Sequence, residues 1–277
     1  MKQHYFISGL PRSGSTLLSA ILRQNPDFYA DISTPVESLI GTTIKIISEG
    51  ESNLVITEKQ RKNLLHGIFD GYYKHIDKPV IFDCSRNWTK NTNLLQALFP
   101  YTKILCPVRD IVSILSSFEN ITSKNPFYTK ILTEHNDNVF VRCDEMMDKN
   151  TGLVSKPWIA LQEGYASNPH MIYFIEYENM CKNPEKIMRG VYEFLDKPFF
   201  PHDFENIEYS NENFDKAVNI KDLHTVKKRV EYKPPRNVLP LEIVQKYKKM
   251  NMEFWRKDHD PDFKTIKNLD NKFIAYH

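Results

Sequence analysis

The chain is 277 residues long, enough for one large α/β domain or two small ones. Its 37 basic and 35 acidic residues leave a net charge of +2, which lacks the polyelectrolyte signature of a nucleic-acid binder. A hydrophobic fraction of 41%, with 17 Phe and 14 Tyr, supports a sizeable core, and no apolar run approaches the ~20 residues that span a membrane.

At the N-terminus the apolar run Tyr5-Phe6-Ile7 is cut by Gly9 and Pro11, so it is too short for the core of a signal peptide. A soluble protein of a reducing compartment, cytoplasmic, is expected. His4 to Ser8 reads as a strand. Ser15 opens a helix that runs to about Gln24 and is ended by Asn25-Pro26-Asp27, and Phe28 to Ser33 reads as extended. Thr34-Pro35-Val36-Glu37 has the form of a helix start, with Thr34 as N-cap, Pro35 at the first helical position and Glu37 as a capping-box carboxylate. Thr57 opens a further helix whose stripe Leu64, Leu65, Ile68, Phe69, Tyr72, Tyr73 and Ile76 reads as core. His66 and His75 lie beside that stripe and need no chemical role.

Pro79 to Cys84 reads as a buried strand that delivers Asp83, Ser85, Arg86 and Asn87 to its C-terminal end. A helix follows from about Trp88 to Leu98. Lys103 to Val108 is the next strand, then Ile111 to Phe118 a helix. Residues 124–168 read as a mostly helical insertion. Met171 to Ile175 is another strand, and Asn183-Pro184 opens a helix ending near Leu195. Residues 199–219 are acidic and poorly periodic, Leu241 to Trp255 reads as a final helix, and 259–277 as a loop-like tail. Strand–helix alternation without repeats or linkers predicts a single α/β domain, 1–277, with a central parallel sheet flanked by helices on both faces. Cys84, Cys106, Cys143 and Cys181 form no C-x-x-C pair and the histidines no H-E-x-x-H spacing, so no metal is expected. Cys84 and Cys106, in apparent strands, are expected to be buried thiols.

The segment Gly9-Leu10-Pro11-Arg12-Ser13-Gly14-Ser15-Thr16 joins the first strand to the first helix. Two glycines give it backbone freedom, and the free N–H groups of the helix mouth make an anion cradle. Gly9 and Gly14 are in register with the nucleotide P-loop G-x-x-x-x-G-K-[ST], but Ser15 stands at the lysine position, and the cation is Arg12, inside the loop. Without the lysine that reaches a γ-phosphate, the loop suits a shorter anion than ATP.

This pattern resembles the phosphosulfate loop of the sulfotransferase family, P-x-x-G-[ST]-T with Lys or Arg after the proline; Pro11 to Thr16 fits it position by position. The resemblance implies a P-loop-like sulfotransferase fold and 3′-phosphoadenosine 5′-phosphosulfate (PAPS) as donor, with 3′,5′-ADP as product. It implies that Arg12, Ser13, Gly14, Ser15 and Thr16 hold the 5′-phosphosulfate, and that Arg109 with Ser117, eight residues on, binds the 3′-phosphate. Glu176-Tyr177-Glu178, followed by Pro184 and Phe194-Leu195, resembles a family segment that sets a tyrosine near the adenine, here Tyr177. Leu223 to Val230 resembles a late basic loop of tyrosylprotein-type relatives, with Lys227 and Lys228 as anion contacts. Family members commonly carry a lysine in the second-strand segment, where this chain offers Arg86, offset. Tyrosylprotein-type relatives have a Glu base after the first helix, where Ser33 falls in this chain; Glu37, four residues on, is the candidate, with Asp83 as the other.

Arg12, Glu37 and Arg86 are thus the expected catalytic residues. The resemblance implies an acceptor hydroxyl or amine, on a small molecule, peptide or glycan that the sequence does not identify, and homodimerisation is left open; no nucleic-acid or membrane partner is expected. Tyr72-Tyr73 and Phe127-Tyr128 line an acceptor pocket or belong to the core. The open alternatives are a P-loop kinase-like phosphotransferase using ATP with Mg²⁺, and a non-catalytic nucleotide-binding protein.

Overall fold

A computed structural model describes residues 2–125, 138–207, 226, 228–234, 238–250 and 252–256. Its centre is a parallel sheet of β1 (Gln3–Ile7), β2 (Phe28–Ala30), β3 (Val80–Cys84), β4 (Ile104–Val108) and β5 (Ile172–Glu176), in the order β2-β3-β1-β4-β5. Every residue of β3, β4 and β5 is buried. A sheet covered on both faces explains why these strands read as apolar runs rather than alternating ones. The two-residue period divides their side chains between two cores. Phe6, Ile81, Ile104, Cys106 and Phe174 enter one core, and Tyr5, Ile7, Phe82, Leu105 and Ile175 the other.

The first core is closed by α2 (Val36–Ser48), which α3 (Gly50–Val55) follows on the surface, and by α4 (Glu58–Tyr72), α5 (Thr92–Leu98) and α6 (Ile111–Lys124). Helices α7 (Val139–Met146) and α8 (Ser155–Ser167) complete it. The second core is closed by α1 (Ser15–Leu22), α9 (Tyr177–Lys182) and α10 (Pro184–Phe194). A last helix, α11 (Leu241–Lys249), packs Ile243 and Val244 into the first core. All four cysteines are free and buried. No described helix is long and apolar enough to cross a membrane.

Several local expectations change. α2 begins at Val36 without a side-chain cap, because the Thr34 hydroxyl donates instead to Asp83; Glu37 is therefore not half of a capping box. A capping box forms instead at α4, where Thr57 and Gln60 bond reciprocally. Leu64 is exposed rather than core, while Leu65, Phe69 and Tyr73 are buried as the stripe requires. Trp88–Asn91 is a 3₁₀ turn ahead of α5. The final helix stops at Lys249, and Phe254–Arg256 forms a separate 3₁₀ turn. Phe127, Tyr128 and Lys227, and the tail 259–277, lie outside the described residues.

Candidate active site

Topology makes the crevice. α1 leaves β1 toward the second core and α6 leaves the neighbouring β4 toward the first. The chain therefore parts at the C-terminal ends of β1 and β4, the place where open α/β sheets bind ligands. A cavity of about 610 Å³ opens there.

Its floor is the loop between β1 and α1. The Leu10 amide donates to the Pro107 carbonyl at 2.9 Å, which ties the loop to β4. A Cβ on Gly9 would come within 2.1 Å of that same carbonyl oxygen, so only glycine allows the approach. Gly14, at φ 93°, turns the chain into α1 and lies against the Tyr177 ring. Arg12 also has a left-handed backbone, φ 57°, which costs a non-glycine residue on the order of 1–2 kcal/mol. Such strain is held where a side chain must be aimed. α1 has no acidic residue in its first turn and no side-chain cap to compete for its leading amides, and Gly14, Ser15 and Thr16 at its start line the cavity.

Ser13 departs from the expected role. It is fully buried, and its hydroxyl donates to the carbonyls of Leu10 and, at 2.7 Å, Pro107. That hydroxyl braces the loop and does not line the cavity. Arg12 Nε donates to Ser117 Oγ at 3.1 Å, so Ser117 meets Arg12 rather than the Arg109 side chain with which its spacing pairs it.

Arg109, at the end of β4, forms the second wall. It is 7% exposed and its guanidinium stacks 4.4 Å from the centroid of the Tyr177 ring. Its Nη1 donates to the Arg12 carbonyl at 3.3 Å, and its Nε lies 3.4 Å from Glu178 Oε1. Burial pushes the Tyr177 hydroxyl up to about 12, so the ring stays neutral beneath the cation.

The remaining walls carry Arg86 beyond β3, Lys156 at the start of α8, and Arg229 and Lys233 from the late segment. Arg86 is exposed to the cavity, and the protein crowded around it disfavours its charge, which sets its pKa below the usual guanidinium value. Among the described residues, Arg86 and Lys156 have no side-chain hydrogen bond or ion pair. Arg229 pairs with Glu205 at 2.9 Å and Lys233 with Glu231 at 2.7 Å. Glu231 is the one carboxylate among the described lining residues. A chain with almost balanced charge thus gathers cations around one cavity, which suits a ligand with several negative charges.

Neither expected base lines that cavity. Glu37 is buried on α2, where Asn87 and Asn91 donate to it at 3.2 and 3.3 Å and Lys90 lies 3.3 Å away. Asp83 is fully enclosed and accepts from Tyr73 at 2.5 Å, Trp88 at 2.6 Å and Thr34 at 2.8 Å. Dehydration raises the pKa of its carboxyl and the three donors oppose that shift. Its partners are these neutral donors, not Arg86. Tyr73 is accordingly core rather than acceptor pocket. Lys228 is exposed and off the cavity wall, whereas Arg229, beside it in the quoted motif, is on it. Lys156 and Lys233 carry no sequence signal: each is a single lysine that only the tertiary fold brings to the site. No group of three His, Cys, Asp or Glu among the described residues could hold a metal ion.

The family described as the sulfotransferase family matches residues 5–201. Protein-tyrosine sulfotransferase 1 of Danio rerio is 25% identical over 215 residues, covering 70% of this chain and 53% of its own length; the chain thus spans about half of this curated relative. Among solved structures, a sulfotransferase domain from the curacin biosynthetic pathway superposes with a TM-score of 0.53 at 16% identity, covering 90% of this chain and 91% of its own. A sulfotransferase from Alicyclobacillus acidocaldarius gives a TM-score of 0.50 at 14% identity, covering 79% and 90%. At these identities the structures establish a shared fold.

Proposed function

The chain belongs to the sulfotransferase family, and from that premise we propose that it moves a sulfuryl group from PAPS to a hydroxyl or amine acceptor. The observation that carries this reading is the pairing of two cationic centres across one crevice: a lysine-free cradle with Arg12, and Arg109 at the neighbouring strand end. A donor with phosphate at both the 5′ and 3′ positions needs two such centres. ATP would need a lysine where Ser15 stands.

In this reading the amides of Gly14 to Thr16 and the Arg12 guanidinium hold the 5′-phosphosulfate, Arg109 takes the 3′-phosphate, and the Tyr177 ring lies by the adenine. Ser117 acts by orienting Arg12, and Ser13 by bracing the loop. Arg229 and Lys233 take the part that the late basic loop assigns to Lys227 and Lys228. The acceptor oxygen or nitrogen attacks sulfur, and a new bond to sulfur forms as the bond to the 5′-phosphate oxygen breaks. The electron pair leaves with 3′,5′-ADP. Arg12 and Arg86 stabilise the charge that grows on the leaving phosphate, the kind of preorganised electrostatics that dominates group transfer between anions. Glu37 and Asp83 are held away from the cavity, so the candidate for the acceptor proton is Glu231, the carboxylate among the described lining residues, which Lys233 holds at 2.7 Å.

The test is incubation with sulfur-labelled PAPS and a panel of phenols, alcohols, amines and tyrosyl peptides. Label on an acceptor with an equal yield of 3′,5′-ADP is the expected result. Phosphate transfer from ATP with Mg²⁺, and none of the label, would return the cradle to the kinase class.

A further inference from the structure

Arg109 is the last link of a chain of four buried or half-buried charges. Arg256 Nε lies 2.5 Å from Glu176 Oε1, and its Nη2 lies 3.8 Å from Glu178 Oε2. Glu178 Oε1 in turn lies 3.4 Å from Arg109 Nε. Signs alternate along Glu176, Arg256, Glu178 and Arg109. Glu178 is incompletely satisfied: its Oε2 is buried without a hydrogen bond, as is Arg109 Nε. Burial pushes its carboxyl up, and the two guanidinium groups oppose that shift.

The segment that carries Arg256 is firmly seated. Trp255 is fully buried, Trp158 Nε1 donates to the Met252 carbonyl at 2.7 Å, and the Ile111 amide donates to Glu253 at 3.4 Å. Residues 252–256 therefore join α8, the start of α6 and the end of β5 at the back of Arg109.

We infer that Arg256 is a positioning residue for nucleotide selection: by holding Glu178 from behind, it frees the Arg109 guanidinium to accept a second phosphate. The inference rests on the donor reading above. Glu178 and an incoming 3′-phosphate are both negative and compete for one guanidinium. Arg256 offsets the carboxylate and weakens its claim; without Arg256, Glu178 turns its full charge on Arg109 and repels the phosphate. The 5′-phosphate, in the cradle, does not meet this competition.

The experiment is calorimetric titration of the full chain with 3′,5′-ADP and 5′-AMP, on the parent, Arg256→Gln, Arg256→Lys and the double variant Arg256→Gln/Glu178→Gln. Glutamine keeps a hydrogen-bond donor for Glu176 and removes the charge. For Arg256→Gln we expect about a tenfold loss of 3′,5′-ADP affinity with 5′-AMP unchanged, the size of an ordinary coupling between sites. Lysine should restore most of the loss, and so should removal of the Glu178 charge in the double variant. Equal losses for both nucleotides, or none for either, would overturn the inference and leave Arg256 a structural clip. If Arg256→Gln does not fold, Glu178→Gln alone must bind 3′,5′-ADP at least as tightly as the parent; weaker binding overturns the inference. A parent that fails to prefer 3′,5′-ADP would sink the donor reading itself, which separates the two failures.

Discussion

The two halves of the sheet's C-terminal edge use charge in opposite ways. At β1 and β4, Arg12 and Arg109 follow the strand ends and face a cavity, which Arg86 beyond β3 and Lys156 on α8 also line with no side-chain partner among the described residues. At β2 and β3, the carboxylates Asp83 and Glu37 turn inward and are each met by three groups. Arg12, Arg109, Asp83 and Arg86 all stand at or next to polar strand ends in the sequence. A charge whose hydrogen-bonding capacity is filled by the fold is structural, and one left facing a cavity is available to a ligand.

This contrast can be broken by substitution. The largest effect is expected on the inward side. Asp83→Ala strips the acceptor from two buried donors, Tyr73 and Trp88, at ~1–3 kcal/mol each, and from the half-buried Thr34, so denaturant unfolding should register a loss of about 2–6 kcal/mol. A variant that keeps parental stability would move Asp83 to the functional side.

Histidines held away from the cavity sharpen the contrast through pH. His4, packed among Phe69, Tyr73 and Phe99, and His202, among Tyr192, Phe200 and Phe204, are both pushed down to about 4, chiefly by burial. The folded state keeps them neutral while the unfolded chain takes up protons at ~6.5. Their contribution is therefore complete above pH ~6.5 and is lost as pH falls toward 4, on the order of 2–3 kcal/mol for the buried His4 and less for the half-buried His202, whose shift solvent screens. Thermal melts of the parent, His4→Phe and His202→Phe across that range measure it; a flat parental profile would mean that these rings are charged in the fold.

On the cavity side, Arg109→Ala should weaken 3′,5′-ADP binding several-fold to a hundredfold, ~1–3 kcal/mol for a charge-assisted contact, while unfolding free energy changes less than for Asp83→Ala. The smallest effect belongs to Lys228→Ala. Its ammonium is exposed and off the wall, so 3′,5′-ADP affinity should move by less than about twofold. A larger loss would bring the late loop closer to the ligand than Arg229 and Lys233 already set it.

The sheet, its flanking helices and the cradle were legible because they rest on local chemistry. Buried strands appear as apolar runs, α4 as a 3–4-residue stripe, and the loop as two glycines at the spacing that lets it touch β4 and turn into α1. The pairings within the site were not. Ser117 lies at the spacing expected for Arg109 but meets Arg12, because the strained Arg12 backbone aims its side chain toward α6. For Glu37 and Asp83 the sequence gives a place on the element, near the site, but not the neighbours that fill their hydrogen bonds and turn them inward. Lys156, Lys233 and Arg256 had no local pattern; each comes from a distant segment.

Calorimetric titration with 3′,5′-ADP, set against 5′-AMP and against ATP with Mg²⁺, tests the central claim most directly. Two cationic centres at adjoining strand ends predict that 3′,5′-ADP binds much more tightly than either and that Arg109→Ala removes that preference. No binding of 3′,5′-ADP, or tighter binding of ATP, would contradict it.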